Sequence, residues 1–172
     1  MKAVIFCAGK GTRLRPITFL TPKCLVKIKG KPVIEHIMWH FANWIDTYII
    51  NIHHFPMKIM KKYPRCLYLY EPKLLGVENT LFYLQEYLDG DYFVTQNGDT
   101  LTDVDISDAL NSGGGHFYDG DTYIGTSVYP PNYFHSRKKL KKIQTKAYWQ
   151  DIGTIEGLKK AIQHENKLSK MS

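Results

Sequence analysis

Residues 2–16 read KAVIFCAGKGTRLRP, and this segment sets the pattern for the start of the chain. The apolar run over residues 2–8 ends at a glycine, which is typical of a buried strand that leads into a loop. The following segment, residues 9–30, is rich in Gly, Pro, Thr and Lys. Connections of this length without regular structure of their own are often functional. We therefore expect a buried first strand followed by a functional loop.

Strand and helix patterns alternate along the rest of the chain. Apolar residues three and four apart predict a helix over 32–44, and β-branched residues predict a strand over 47–52. The same criteria predict strands over 66–70, 91–95 and 122–129, and helices over 78–88, 105–111 and 154–170. This alternation predicts an α/β fold with a mainly parallel sheet and helices on both faces. Ligands of such sheets bind at the carboxyl ends of the strands.

The composition limits the class of protein. A chain of 172 residues, 44% hydrophobic and 23% charged, indicates a single globular domain over residues 1–172. No apolar run reaches the roughly 18–20 residues of a membrane span, so we expect no membrane association. The cysteines, at positions 7, 24 and 66, form no Cys-x-x-Cys pair. This usage argues against disulfide or zinc frameworks and favours a cytoplasmic location.

Positive charge is concentrated near the N-terminus. The net charge is +7, and residues 1–34 contain eight Lys or Arg residues and no carboxylate. A solvated lysine surface is one interpretation, and a site for a multiply charged anion is the other. Because these cations are interleaved with a Gly-rich loop, we expect a small phosphorylated ligand rather than nucleic acid.

The loop after the first strand has the residue types of a phosphate site. Glycines let backbone N–H groups approach phosphate oxygens closely, while Arg13 offers a planar fork and Lys23 a point charge. A dinucleotide-binding fingerprint is excluded because Leu14 stands where its third glycine is required, and no Gly-Lys-Ser/Thr ending forms a Walker A loop. A purely structural turn is the alternative interpretation.

Two aspartates are candidates for a divalent cation. Asp99 follows the strand predicted over 91–95, and Mg²⁺ prefers one or two carboxylates together with phosphate oxygens. An Asx turn explains Asn-Gly-Asp equally well. Asp151 is either a second metal ligand or simply a residue close to the start of the last helix, where Thr154 is the expected N-cap.

Four motifs together resemble the sugar-1-phosphate nucleotidyltransferases. The opening motif is GKGTRLRP at 9–16 with TPKCLV at 21–26 and GKP at 30–32, followed by EPKLLG at 71–76, NGD at 97–99 and DIGT at 151–154. The resemblance implies a Rossmann-like fold of the nucleotide-diphospho-sugar transferase type. It also implies a Mg²⁺-dependent enzyme that transfers a nucleotidyl group from a nucleoside triphosphate to a sugar-1-phosphate, giving an NDP-sugar and pyrophosphate.

The resemblance also implies roles for individual residues. Arg13 would stabilise the leaving pyrophosphate, Lys23 would bind the phosphates, and Asp99 and Asp151 would hold Mg²⁺. Glu71 would contact the base, and because a carboxylate can accept from both N1–H and the N2 amino group of guanine, GTP is favoured. The remaining expected positions are Ala8, Gly9, Gly11, Thr12, Gly76 and Asn97 for the nucleotide and Gly125 for the acceptor.

The chain departs from the family in two places, between its two aspartates and directly after the EPKLLG motif. The acceptor-binding part, around residues 101–148, is shorter than usual and lacks a Glu-Lys-Pro-like segment, and Val77-Glu78-Asn79 replaces small residues. One alternative is therefore a cytidylyltransferase for a non-sugar acceptor such as phosphocholine, held by an aromatic cage. Another is a non-catalytic nucleotide-binding module. The aromatic residues available for such a cage are Tyr118, Tyr123, Tyr129 and Trp149. The sequence does not indicate an oligomeric state.

Overall fold

The computed structural model describes residues 1–136 and 139–164. The strands are β1 (Lys2–Phe6), β2 (Lys27–Ile28), β3 (Lys31–Pro32), β4 (Thr47–Ile52), β5 (Leu67–Tyr70), β6 (Phe93–Asn97), β7 (Thr100–Thr102), β8 (Gly115–Asp119), β9 (Thr122–Tyr129), β10 (Lys141–Gln144) and β11 (Trp149–Asp151). The helices are α1 (Val33–His40), α2 (Pro56–Lys62), α3 (Val77–Leu88), α4 (Ser107–Asn111) and α5 (Ile155–Gln163).

Seven strands form the central sheet, in the order β10-β8-β9-β6-β1-β4-β5. The strands β6, β1, β4 and β5 are mutually parallel, β9 runs antiparallel to its neighbours, and β10 is parallel to β8. Two small antiparallel pairs, β2 with β3 and β7 with β11, lie outside this sheet. The expectation of an α/β fold with a mainly parallel, Rossmann-like sheet is confirmed.

Helices cover both faces because the central strands are apolar on both sides. Val4 of β1 packs against Leu81, Leu84 and Leu88 of α3. Ala3 and Ile5, one position away, face the opposite side, since side chains alternate along a strand. The second face is covered by buried residues of α1, α2, α4 and α5, namely Val33, Ile34, Ile37, Ile59, Ala109, Leu158 and Ala161. Each large apolar side chain buried in this way contributes roughly 1.5–3 kcal/mol.

The carboxyl ends of three parallel strands are tied together at one edge. Phe6 pairs with both Asn51 and Asn97, and the Gly98 amide donates to the Phe6 carbonyl at 3.0 Å. The Cys7 amide donates to the Asn51 carbonyl at 3.2 Å. The loops that follow β1, β4 and β6 therefore leave the sheet side by side, as expected for the loops after β1 and β6 from the alternating pattern.

Several element boundaries differ from those predicted. The helix expected over 32–44 ends at His40, because Phe41 and Ile45 are buried through a succession of tight turns. The last helix spans Ile155–Gln163, and positions 165–170 of the predicted helix lie outside the described residues. The short strands β2, β3, β7, β8, β10 and β11 were not predicted. Among the described residues, no helix is long and apolar enough to cross a bilayer.

Gly98 provides a test of how tightly the strand ends are packed. A Cβ at this position would lie 2.5 Å from Cys7 Sγ and 2.7 Å from the Phe6 carbonyl oxygen, so Gly98→Ala must displace backbone. We expect this variant to lower the free energy of unfolding by about 1–3 kcal/mol in urea denaturation. Gly9→Ala is the matched control, because its Cβ would meet nothing within 4 Å. Equal stability of the two variants would contradict the close packing.

Candidate active site

The loop after β1 folds back on itself. Gly11 has φ +63°, and a Cβ there would lie 2.9 Å from Thr18 Cγ2, so both conformation and space favour glycine. The Thr18 hydroxyl donates to the Gly11 carbonyl at 2.6 Å. A 3₁₀ turn over Thr12–Leu14 follows, and the fully buried Leu14 anchors it in the core. The loop thereby keeps Arg13 at the edge of the sheet.

The other predicted cation reaches the same edge from a different turn. Lys23 begins a 3₁₀ turn over Lys23–Leu25, whose Cys24 is buried. The Lys23 ammonium forms an ion pair with Asp99 Oδ2, and both side chains are largely shielded from solvent. The first predicted metal aspartate and the second predicted cation are therefore in direct contact.

The DIGT motif brings the second aspartate to this place. Asp151 lies opposite Thr100 in the β7–β11 pair, and the Ile152 amide donates to the Asp99 carbonyl at 2.9 Å. The hydroxyl of Thr154 accepts from the Gly157 amide at 3.0 Å and caps α5, which confirms the expected N-cap. The cap and the strand pairing fix both ends of the motif.

The charged residues converge on Gly153. A Cβ built on this glycine would lie 2.6 Å from Asp151 Oδ1, 2.7 Å from Lys23 Nζ and 2.9 Å from an Arg13 guanidinium nitrogen. Because Lys23 also pairs with Asp99, the structure brings all four predicted charged residues into one cluster. We refer to Arg13, Lys23, Asp99 and Asp151 as the charge cluster.

A cavity of about 210 Å³ opens next to the charge cluster. Its lining combines the glycine loop with both cations and one carboxylate: Gly9, Gly11, Thr12, Arg13, Lys23, Asp99 and Gly153, together with Phe6, Cys7, Cys24 and Gly98. Backbone amides and cations of this kind bind phosphate oxygens. Burial raises the pKa of the Cys7 thiol well above its usual value, with a further contribution from Cys24, so this thiol stays protonated and is a poor nucleophile.

A second cavity, of about 330 Å³, adjoins the first. It shares Phe6, Gly9 and Asp99 with the first cavity and adds apolar surface from Leu74 and Val77. The predicted nucleotide-binding residues Ala8, Gly9, Glu71, Gly76 and Asn97 all line it. Apolar walls of this kind suit a nucleobase, and we call this second cavity the base cavity.

Gly125, the residue expected at the acceptor, also lies near the base cavity. It has φ +86°, and a Cβ there would lie 3.0–3.2 Å from the side chain of Asn97. The four aromatic residues considered for a cage have different surroundings. Tyr129 is buried and stacks on Phe93 at 4.6 Å, whereas Tyr118 and Tyr123 are neighbours at 5.7 Å. The fourth, Trp149, donates from Nε1 to Asp119 at 3.2 Å.

Glu71 is buried, although a carboxylate that contacts the base is expected to be accessible to a ligand. It is only 1% exposed, and its carboxylate accepts three hydrogen bonds from within the protein. The donors are the side chains of Asn51 and Thr80 and the amide of Leu75. Sequence reasoning missed Asn51 and Thr80. Asn51 had a usable signal, since it is the one amide side chain in an otherwise apolar strand end.

The donors at the charge cluster suit a hard divalent cation. Carboxylate oxygens from Asp99 and Asp151, completed by phosphate oxygens and water, match the preference of Mg²⁺. Asp99 Oδ2 already faces a cationic partner, the Lys23 ammonium. Within residues 1–136 and 139–164, no cluster of three or more His, Cys, Asp or Glu forms a self-sufficient metal cage. The two aspartates fit a cation that would share its coordination with a phosphorylated ligand.

A cluster of cations and carboxylates beside a cavity with apolar walls, at the carboxyl edge of a parallel sheet, is typical of nucleotide-binding α/β proteins. A family model described as nucleotidyl transferase matches residues 2–124, which is well over half of the chain. The chain belongs to this nucleotidyl transferase family.

Two curated relatives show what this chain is similar to. The bifunctional protein GlmU of Methanococcus maripaludis is 37% identical over 114 residues, covering 64% of this chain and 28% of the relative. A UTP–glucose-1-phosphate uridylyltransferase of Synechocystis sp. is 33% identical over 129 residues, covering 64% and 33%. The chain thus matches a third or less of the length of these relatives.

The fold has a counterpart among solved structures. The CTP:phosphocholine cytidylyltransferase of Streptococcus pneumoniae, LicC, superposes with a TM-score of 0.75 and 17% identity, covering 94% of this chain and 97% of that chain. This likeness extends the shared architecture beyond residue 124, where the family model ends.

Gly153→Ala tests whether the charge cluster binds phosphate. Its methyl group would push apart the ends of Asp151, Lys23 and Arg13, which are flexible side chains, so the fold should survive. We expect calorimetry to show pyrophosphate binding, with Mg²⁺ present, weakened by about tenfold or more, since each lost charge-assisted hydrogen bond costs about 1.5–3 kcal/mol. Thermal unfolding of the ligand-free variant should change little. Unaltered pyrophosphate affinity would contradict this placement of the ligand.

Proposed function

We propose that this protein transfers a nucleotidyl group from a nucleoside triphosphate to a sugar-1-phosphate and releases pyrophosphate. The observation that carries the proposal is the convergence of the charge cluster on Gly153, next to the base cavity. The acceptor class is supported by the 33% identity to a uridylyltransferase named for glucose-1-phosphate. The shortened part around residues 101–148 would complete the acceptor site, with Gly125 at its border.

The reaction requires positioning and charge neutralisation more than proton transfer. An oxygen of the acceptor phosphate attacks the α-phosphorus, and the bond from that phosphorus to the bridging oxygen of pyrophosphate breaks. The attacking oxygen is already anionic, so no general base is required. Arg13 would stabilise negative charge that builds on the leaving pyrophosphate, and Lys23 would bind the phosphates close to the reacting centre.

Asp99 and Asp151 would hold Mg²⁺ in this scheme. When bound, the ion supplies neutralisation of the repulsion between the two phosphorylated substrates. The aspartates themselves have a second duty, since the Asp99 carboxylate fixes the Lys23 ammonium and Asp151 lies against Arg13 and Lys23 around Gly153. Loss of either carboxylate would therefore disturb the cations as well.

The identity of the base follows less directly. The preference for GTP rests on a Glu71 carboxylate free to accept from guanine, but this carboxylate already accepts three hydrogen bonds. GTP therefore stays a prediction that the geometry of Glu71 does not support. UTP is the other nucleotide to test first, because of the name of the Synechocystis relative.

A second candidate function is transfer of a cytidylyl group to a small phosphorylated amine such as phosphocholine. The Lys142 ammonium lies over the Tyr118 ring at 4.7 Å, and a cation in this position is attracted to the face of the ring. Tyr123, close by, adds a second ring. The likeness to LicC, a CTP:phosphocholine cytidylyltransferase, supports including this acceptor.

Pyrophosphate release across ATP, CTP, GTP, UTP and dTTP, with sugar-1-phosphates and phosphocholine as acceptors, tests both candidates. Asp99→Asn and Asp151→Asn should each lower kcat by about 100-fold or more, the scale of losing a preorganised charge. Asp91→Asn is the matched control, since Asp91 is exposed and precedes the opposite end of β6. Nucleotide binding without pyrophosphate release from any pair would instead favour a non-catalytic module.

Removal of divalent cations tests the metal assignment separately. With EDTA we expect turnover to cease and to return when Mg²⁺ is added in excess, because neutralisation of the phosphates is lost and regained. The Asp99→Asn variant should need more Mg²⁺ for half-maximal rate than the wild type. Turnover that persists in EDTA would exclude the role assigned to both aspartates.

A further inference from the structure

Glu71 lies at the centre of a buried polar network. Its Oε1 accepts from Asn51 Nδ2 at 2.8 Å and from the Thr80 hydroxyl at 2.6 Å, and its Oε2 accepts from the Leu75 amide at 3.1 Å. Glu71, Asn51 and Thr80 are 1%, 4% and 0% exposed. Glu71 lines the base cavity, but its carboxylate oxygens are directed to donors of the protein itself.

The network ties the loop over residues 71–76 to the ends of two strands. Asn51, in β4, also accepts the Cys7 amide on its Oδ1 at 2.6 Å, which links the network to the end of β1. The Glu71 amide donates to the Ile52 carbonyl at 2.8 Å, and His53 Nδ1 donates to the Glu71 carbonyl at 2.8 Å. The start of the loop is therefore fixed through both main chain and side chain.

The far end of the loop is fixed at the first turn of α3. Gly76, with φ +80°, precedes the helix, and the Thr80 amide donates to its carbonyl at 3.0 Å. Since the Thr80 hydroxyl reaches Glu71, the carboxylate joins both ends of the loop. Leu74, Gly76 and Val77, which line the base cavity, are held between these two anchors.

The chemistry of the three donors explains why a carboxylate stands here. An amide NH₂, a hydroxyl and a backbone N–H all donate to its two oxygens, and the amide NH₂ and the backbone N–H can act only as donors. A glutamine of the same shape would turn an NH₂ group toward at least one of these donors. A buried carboxylate is costly unless it is well hydrogen-bonded, so its charge is suited to the task of satisfying several donors.

We propose that Glu71, Asn51 and Thr80 are positioning residues that set the shape of the base cavity. Selectivity for the base then comes from the loop backbone and the cavity walls, not from contact between the Glu71 carboxylate and the base. This inference rests on the proposed nucleotidyl transfer and describes how the same site recognises its nucleotide.

Glu71→Gln gives the first test, with kinetics measured against every nucleotide that the wild type uses. We expect KM for each nucleotide to rise by about tenfold, the equivalent of one lost hydrogen bond to a charged group. The order of preference among nucleotides, kcat and KM for the acceptor should stay nearly unchanged. Glu78→Gln, an exposed glutamate in the first turn of α3, is the matched control and should behave as wild type.

A charge exchange gives the second test. Asn51→Asp alone sets two carboxylates against each other and should be worse than Glu71→Gln. The double variant Asn51→Asp with Glu71→Gln restores the bond between the two positions, because the carboxylate introduced at position 51 can accept from the Cys7 amide and from the new glutamine NH₂ group. The Thr80 hydroxyl, which can also accept, then turns its oxygen to the same NH₂ group. We expect it to recover most of the lost nucleotide affinity. Thr80→Val, which removes one donor, replaces Glu71→Gln if that variant fails to fold.

Distinct outcomes overturn the inference. If Glu71→Gln changes which base is preferred, the carboxylate reads the base directly. If nucleotide KM is unchanged, or the double variant is no better than Glu71→Gln, the network does not shape the cavity. Calorimetric binding of each nucleotide with Mg²⁺ gives the same readout without turnover. A wild type that binds nucleotides and transfers none would refute the proposed function and leave this test in force.

Discussion

The close approach of two parallel strand ends is the constraint on which the site depends. The Gly98 amide bonds to the Phe6 carbonyl, and no side chain fits between β6 and the start of the glycine loop. This contact places Asp99 beside the loop that carries Arg13. The pairing of β11 with β7 then adds Asp151 from a distant part of the chain. Opposite charges drawn from four segments are thereby held together at one edge of the sheet.

The sequence was most informative where its patterns are local. The first strand, the glycine-rich loop after it and the strand over 122–129 were predicted because apolar runs and turn residues are recognised over a few positions. The site residues followed from a resemblance, and the structure brings them together. The short strands β7 and β11 were not predicted because each forms only by pairing with the other. Each has three residues, which is too short for a recognisable alternation of apolar and polar side chains.

Glu71 shows a different limit of sequence reasoning. A motif places this carboxylate in the loop that lines the base cavity, but motif and composition do not say whether its oxygens face the ligand or the protein. That depends on Asn51 and Thr80, which lie 20 and 9 positions away and are brought into contact by the fold. The number of donors that reach a buried acceptor is a property of tertiary structure.

The charge cluster draws on residues 13, 23, 99 and 151, so it exists only when nearly the whole chain is in place. A ligand that binds there binds the native state and has no comparable affinity for a chain folded in part. A free ligand concentration of about 100 times the dissociation constant would add about 2.7 kcal/mol to the free energy of unfolding. A substrate that binds at the charge cluster would thus stabilise the whole chain at once, and the free energy of unfolding would rise with the concentration of nucleotide.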